Sequence, residues 1–182
     1  MVRSISSKEE ERQFFEAVGR VISEWRFLED NLEAVFDALV DSSHRGLPSV
    51  IYYSVNSFPI RLKIIDALLK YRFGQTNKQA KQPLRLREWT NLRRRIGKLE
   101  TVRNAIAHSL VHTFPSNRSG RRTHIRPSIF DNSLAVRFNP EAHPTLYLRD
   151  LVRIRRRIER TWNAIERFWS RIPAHRSGRK RR

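Results

Sequence analysis

Apolar residues recur at three- and four-residue steps along most of this chain, the period of helices with one buried face. The first run is the longest: Phe14, Val18, Val21, Ile22, Trp25, Leu28, Leu32, Val35, Phe36 and Leu39 predict one long amphipathic helix. Ser7-Lys8-Glu9-Glu10 opens it with a capping-box pattern, Ser7 at the N-cap and Glu10 three residues on. The polar run from Asp41 to Gly46 stops it, and Pro48 suits the first turn of a second helix reaching about Ser57. A third helix begins near Pro59, carries Ile60, Ile64, Leu68 and Tyr71 along one side, and ends at Gly74; Gln75 to Gln82 is a polar loop. After Pro83 a fourth helix runs through Leu84, Trp89, Leu92, Ile96, Leu99, Val102 and Ile106 and finishes near His108 or Leu110.

Residues 111–144 break this rhythm. Pro115, Pro127, Pro140 and Pro144 cannot share one helix. His124-Ile125-Arg126 and Leu134-Ala135-Val136-Arg137-Phe138, around Asp131-Asn132-Ser133, predict a β-hairpin. Pro144 or Thr145 then opens a last long helix striped by Leu148, Leu151, Ile154, Ile158, Trp162, Ile165, Phe168, Trp169 and Ile172. The pattern predicts an all-α fold: a bundle of about five helices over residues 7–172, with a small β-hairpin or irregular insertion at 111–144 before the last helix. Residues 1–6 read as a flexible N-terminus, and 173–182 as a disordered basic tail with nothing to bury.

The chain has 182 residues, 39% of them apolar, enough for one domain with a sizeable core. It has no cysteine, which excludes disulfides and thiolate metal sites. The histidines outside the fourth helix show no metal-ligand spacing with Asp or Glu, so no metal and no cofactor is expected. No apolar run approaches the length of a membrane span and no leader precedes the first helix, so a cytoplasmic protein is expected.

Charge narrows the partner. The chain holds 37 Lys and Arg against 18 Asp and Glu, a net charge of +19. Residues 1–45 carry 6 basic and 10 acidic residues, a balance of −4, which leaves +23 on the rest. Such segregation implies a surface facing a polyanion, with nucleic acid the commonest. Arg93, Arg94 and Arg95, and Arg153, Arg155, Arg156 and Arg157, are the candidate phosphate contacts. The four tryptophans fall on apolar stripes and are expected in the core.

The end of the fourth helix carries the chemistry. Arg103-Asn104-Ala105-Ile106-Ala107-His108-Ser109 puts a guanidinium, a carboxamide, an imidazole and a hydroxyl within two turns. RNA cleavage without a metal needs a base for the ribose 2′-OH, an acid for the leaving 5′-oxygen and positive charge on the phosphorane. His108 suits the proton transfers, and Arg103 a bidentate phosphate clamp. Asn104, one turn before His108, suits orienting the imidazole, and Ser109 another hydrogen bond. At about 100° per residue, Arg103 and His108 lie about 140° apart around a regular helix. They converge only through bending, the reach of the arginine, or a second subunit.

The stretch Arg103-Asn104-Ala105-Ile106-Ala107-His108 resembles the signature of HEPN domains: an Arg, a polar residue after it, a few spacers and a His. The long first helix with Trp25-Arg26-Phe27-Leu28-Glu29 and the Arg-rich last helix also look like that superfamily. The resemblance implies an all-helical dimer paired through the motif-bearing helix, and a metal-independent endoribonuclease found in toxin–antitoxin, phage-defence or CRISPR systems. It implies Arg103 and His108 as the catalytic pair, Asn104 in support, and Glu29 or Glu33 of the first helix as an acidic contributor. The expected partners are single-stranded or looped RNA, a second copy of the chain, and an acidic antitoxin or regulator. The competing reading is a catalytically silent module that binds RNA, DNA or protein, in which the motif's polar residues only cap or pair.

Overall fold

In the computed structural model, residues 7–40, 42, 44, 46–74, 84–116, 120–127 and 145–172 are described. Among them the chain is mostly helical, as its periodicity predicts, with a small sheet before the last helix. The helices are α1 (Ser7–Val40), α2 (Leu47–Ser54), α3 (Phe58–Gly74), α4 (Leu84–His108) and α5 (Leu148–Trp169); the strands are β1 (Ser109–Ser116), β2 (Gly120–Pro127) and β3 (Leu146–Tyr147). None of these helices is long and apolar enough to cross a membrane.

The chain divides into two compact units, with α1, α4 and α5 contributing to both. The first comprises residues up to Arg26 and Gly97–Glu159. Its interior is made of Phe14, Val21 and Trp25 from α1, Leu99 and Ile106 from α4, Thr123 and Ile125 from β2, and Leu151, Ile154 and Ile158 from α5. Its antiparallel sheet has the order β1-β2-β3. β1 pairs with β2 from Ser109↔Pro127 to Ser116↔Gly120, and β2 pairs with β3 at His124↔Tyr147 and Ile125↔Leu146.

This sheet corrects two sequence expectations. Residues 124–126 do lie in a strand, but their hairpin partner is the segment just after α4, where Leu110, Val111 and Thr113 supply β-branched and apolar residues. The other predicted strand, 134–138, lies outside the described residues, as do 1–6, the loop 75–82 and the tail 173–182. The last helix begins at Leu148 because Leu146 and Tyr147 are held against β2. Asp150 then accepts a hydrogen bond from the Tyr147 N–H at 3.1 Å, half of a capping box. Ser7, expected at the N-cap, is the first residue of α1, and Glu10 in that first turn reaches across to β2. Its Oε1 accepts the Thr123 N–H at 3.2 Å, tying α1 to β2.

The second unit comprises Phe27–Ile96 and the chain from Arg160. Trp89 and Phe168 stack with centroids 5.8 Å apart, and Phe36 meets Tyr52 at 5.6 Å. Gly46 precedes α2 at φ 83°, a left-handed conformation that glycine adopts without steric cost. α3 buries Leu62, Ile65 and Leu69; Tyr71 is 71% exposed and Ile60 48%, so the predicted stripe is the wrong face. Charged residues such as Arg61, Asp66 and Lys70 separate two apolar stripes on this helix, and periodicity cannot select a face where both qualify.

Candidate functional site

The motif lies in the first unit. α4 runs unbroken through His108, which keeps Arg103 and His108 about 140° apart around its axis. Arg103 falls on the inward side between Leu99 and Ile106, both buried, whereas His108 is exposed at the helix end. Arg103 is half-buried. Its guanidinium carbon lies 5.8 Å from the centroid of the Trp25 ring, which gives it a cation–π shelf. Its Nη1 donates to Asn104 Oδ1 at 3.0 Å, and its buried Nε–H has no hydrogen-bond partner among the described residues. Glu100 stands one turn before Arg103. Burial raises its carboxyl above the usual range, and the Arg103 charge offsets part of that rise.

The remaining predicted site residues divide. Ser109 opens β1, where its backbone pairs with Pro127. Glu29 belongs to the second unit, where its charge bears on Tyr52. Glu33 accepts a hydrogen bond from Ser49 Oγ at 2.6 Å, a contact that seats α2. Arg93 is engaged by Asp66, Nη1 to Oδ2 at 3.1 Å. Arg94 is exposed and donates to Asn91 at 3.2 Å, and Arg95 is exposed.

On α5, Arg153, Arg156 and Arg157 are exposed. Arg153 stands 3.6 Å from Asp150. Arg155 turns the other way and lines a groove of about 240 Å³ with Gln13, Glu16, Ala17, Arg20 and Leu151, its buried Nε–H without a partner among the described residues. The arginine run that reads as one block in the sequence is therefore two populations, one facing solvent and one set against α1.

Two features are invisible to the sequence pattern. Trp25, expected only as a core residue, is the shelf for Arg103; the two are far apart in sequence, so no local signal joins them. The other is an aromatic pair on the sheet: His124 and Tyr147 are cross-strand partners with centroids 5.8 Å apart and planes at 50°. The Arg149 guanidinium lies 5.9 Å from the Tyr147 centroid. Among the described residues no group of three or more His, Asp or Glu stands close enough to hold a metal ion. No family model, curated protein or solved structure matches this chain.

Proposed function

We propose that this protein is a metal-independent endoribonuclease of the HEPN type, working in the cytoplasm on single-stranded or looped RNA, with Arg103 and His108 as its catalytic pair. One observation carries the reading: Arg103 is fixed by Trp25 and Asn104 while its Nε–H stays unspent, at the end of the helix that presents an exposed His108. A buried guanidinium donor without an acceptor is costly, and a phosphate oxygen is the acceptor it suits.

In this reading the 2′-oxygen attacks phosphorus, forming the P–O2′ bond as the P–O5′ bond breaks. A base takes the 2′ proton, and an acid supplies one to the leaving 5′-oxygen. His108 serves in these transfers, and Arg103 neutralises the phosphorane. Because the two diverge around α4, the reading includes a homodimer in which one protomer's Arg103 faces the partner's motif. An acidic antitoxin or regulator covering the basic surface belongs to the same reading.

A second reading rests on the same divergence. With Arg103 turned inward over Trp25 and His108 turned out, one chain alone is a binding module without a reactive pair. Incubation with mixed RNA in EDTA separates the two. The nuclease reading expects 2′,3′-cyclic phosphate ends, produced by the parent chain and lost in both His108→Ala and Arg103→Ala. RNA binding retained by all three, with no cleavage by any, overturns it in favour of the binding module.

A further inference from the structure

We infer that the junction of the sheet with α5 is a docking platform for single-stranded RNA. In it Tyr147 and His124 receive a base, and Arg149, Arg153 and Arg156 receive the phosphates. The inference deepens the RNA reading above and rests on it, but it concerns residues other than Arg103 and His108.

Stacking is the first half of the argument. Because His124 and Tyr147 are direct cross-strand partners, their side chains project from the same face of the sheet. Both are half-buried rather than fully buried, on the face opposite the buried Thr123 and Ile125. Their planes are tilted by 50°, so the two rings are not stacked face to face. The Arg149 guanidinium, near the Tyr147 ring, extends the platform with a second planar, cationic surface. Aromatic rings and guanidinium planes are the groups on which unpaired bases stack.

Charge is the second half. Arg149, Arg153 and Arg156 follow at i, i+4 and i+7, a spacing that sets them on one face of α5. The side chains of Arg149 and Arg153 are 75% and 72% exposed. The acid between them is Asp150, 3.9 Å from Arg149 and 3.6 Å from Arg153, while its other oxygen holds the Tyr147 N–H. Exposed ion pairs at such distances are weak, so both guanidinium groups transfer readily to a phosphate. Tyr147 is the last residue of β3 and Leu148 the first of α5, so platform and arginine row are held in fixed register by continuous chain.

The geometry favours unpaired strands over duplex, because only there are bases free to reach a ring. It also favours nucleic acid over an acidic polypeptide, which has no use for the aromatic pair.

The test uses the full chain and a labelled single-stranded RNA carrying 2′-O-methyl groups, which cannot be cleaved by 2′-OH attack. Tyr147→Leu should weaken binding roughly five- to hundredfold, while Tyr147→Phe binds like the parent. Arg149→Ala, Arg153→Ala and Arg156→Ala should each weaken binding and flatten the salt dependence, its logarithmic slope falling by about 0.7 for each phosphate no longer neutralised. Circular dichroism checks that each variant folds, and Tyr147→Phe with the arginine variants keeps the test decisive should Tyr147→Leu not.

Unchanged binding by Tyr147→Leu, or by all three arginine variants, overturns the platform. So does a duplex of the same sequence bound as tightly and with the same dependence on Tyr147. Poly-glutamate bound with that dependence overturns it in favour of an acidic polypeptide. Cleavage of unmodified RNA by a Tyr147→Leu protein that binds normally sinks the platform and spares the nuclease. The predicted binding pattern without any cleavage does the reverse.

Discussion

Arg103 sits over Trp25, its guanidinium carbon 5.8 Å from the ring centroid, although helical phase alone would place an apolar residue at that position. Between the buried Leu99 and Ile106, a leucine or methionine would fill the space and leave no buried N–H without an acceptor. A buried donor without a partner costs about 1–3 kcal/mol. The proposed role of Arg103 in phosphate binding would supply the missing acceptor.

Arg103→Lys tests that statement directly. Lysine keeps the charge and can lie over Trp25, but it has no planar fork to hold Asn104 and clamp a phosphate together. It also removes the unpaired Nε–H. Unfolding free energy by urea should stay within about 1 kcal/mol of the parent, while RNA cleavage falls most of the way to the level of Arg103→Ala. A loss of more than about 2 kcal/mol, with cleavage retained, would mark Arg103 as a structural residue.

Glu100 yields a pH dependence. Burial raises its folded-state pKa above that of the unfolded chain, and Arg103 offsets part of the rise. The folded protein then binds the extra proton, so this group's contribution to stability is fully present below the unfolded value of 4.5 and declines as the pH rises through the folded one. Glu100→Gln stays neutral throughout and should flatten that decline. Thermal melts at pH 4 and pH 7 check it: the parent-minus-variant difference should favour the parent more at pH 4, by an amount kept small by solvent screening. The opposite sign would show that the attraction to Arg103 outweighs burial.

Periodicity made the helices legible because most are apolar on one side only. α4 could be placed from Trp89, Leu92, Ile96 and Leu99, all of them buried. α3 misled because Ile60, Ile64, Leu68 and Tyr71 form as good a stripe as Leu62, Ile65 and Leu69, and only tertiary contacts choose between them. The candidate pair Arg103 and His108 was legible as a motif, but the contacts of Trp25 with Arg103 and of Tyr147 with His124 were not. Arg103 meets Trp25 across two helices, and β3, at two residues, is too short to show an alternating pattern. Glu10 reads locally as a capping-box residue, and its bond with Thr123, 113 positions away, has no local signal.

Asp66 is the ionic hub of the second unit. It accepts from Trp89 Nε1 at 3.1 Å and pairs with Lys70 at 2.8 Å and Arg93 at 3.1 Å. Burial alone would push its carboxyl up; the bonds from Lys70 and Trp89 and the Arg93 charge outweigh that and hold it below 3.8. Its contribution is therefore present above the unfolded value and lost as the pH falls through the folded one. Asp66→Ala should cost about 1–3 kcal/mol at pH 7, since the indole N–H loses its acceptor. Urea unfolding at pH 7 and pH 3 should show the gap between parent and variant narrowing in acid. A gap that stays constant would mean that the charges on Lys70 and Arg93 contribute nothing.

Glu10 links α1 to the sheet that carries the proposed RNA platform. The Thr123 N–H is satisfied by Glu10 Oε1, and Thr123 itself is 3% exposed, so water cannot readily replace the carboxylate. Glu10→Ala should therefore free the middle of β2 while leaving the helices in place. Amide exchange across 120–127 should speed up, by roughly tenfold for each 1.4 kcal/mol lost locally. Glu10→Gln keeps an acceptor and should restore most of the protection. His124 adjoins Thr123 and shares the platform with Tyr147, so a looser β2 should also weaken binding of uncleavable single-stranded RNA, although Glu10 carries the wrong charge to touch a phosphate. Faster exchange with unchanged RNA affinity would separate hairpin order from binding. Unchanged exchange would remove the Glu10–Thr123 bond from any role in holding the sheet.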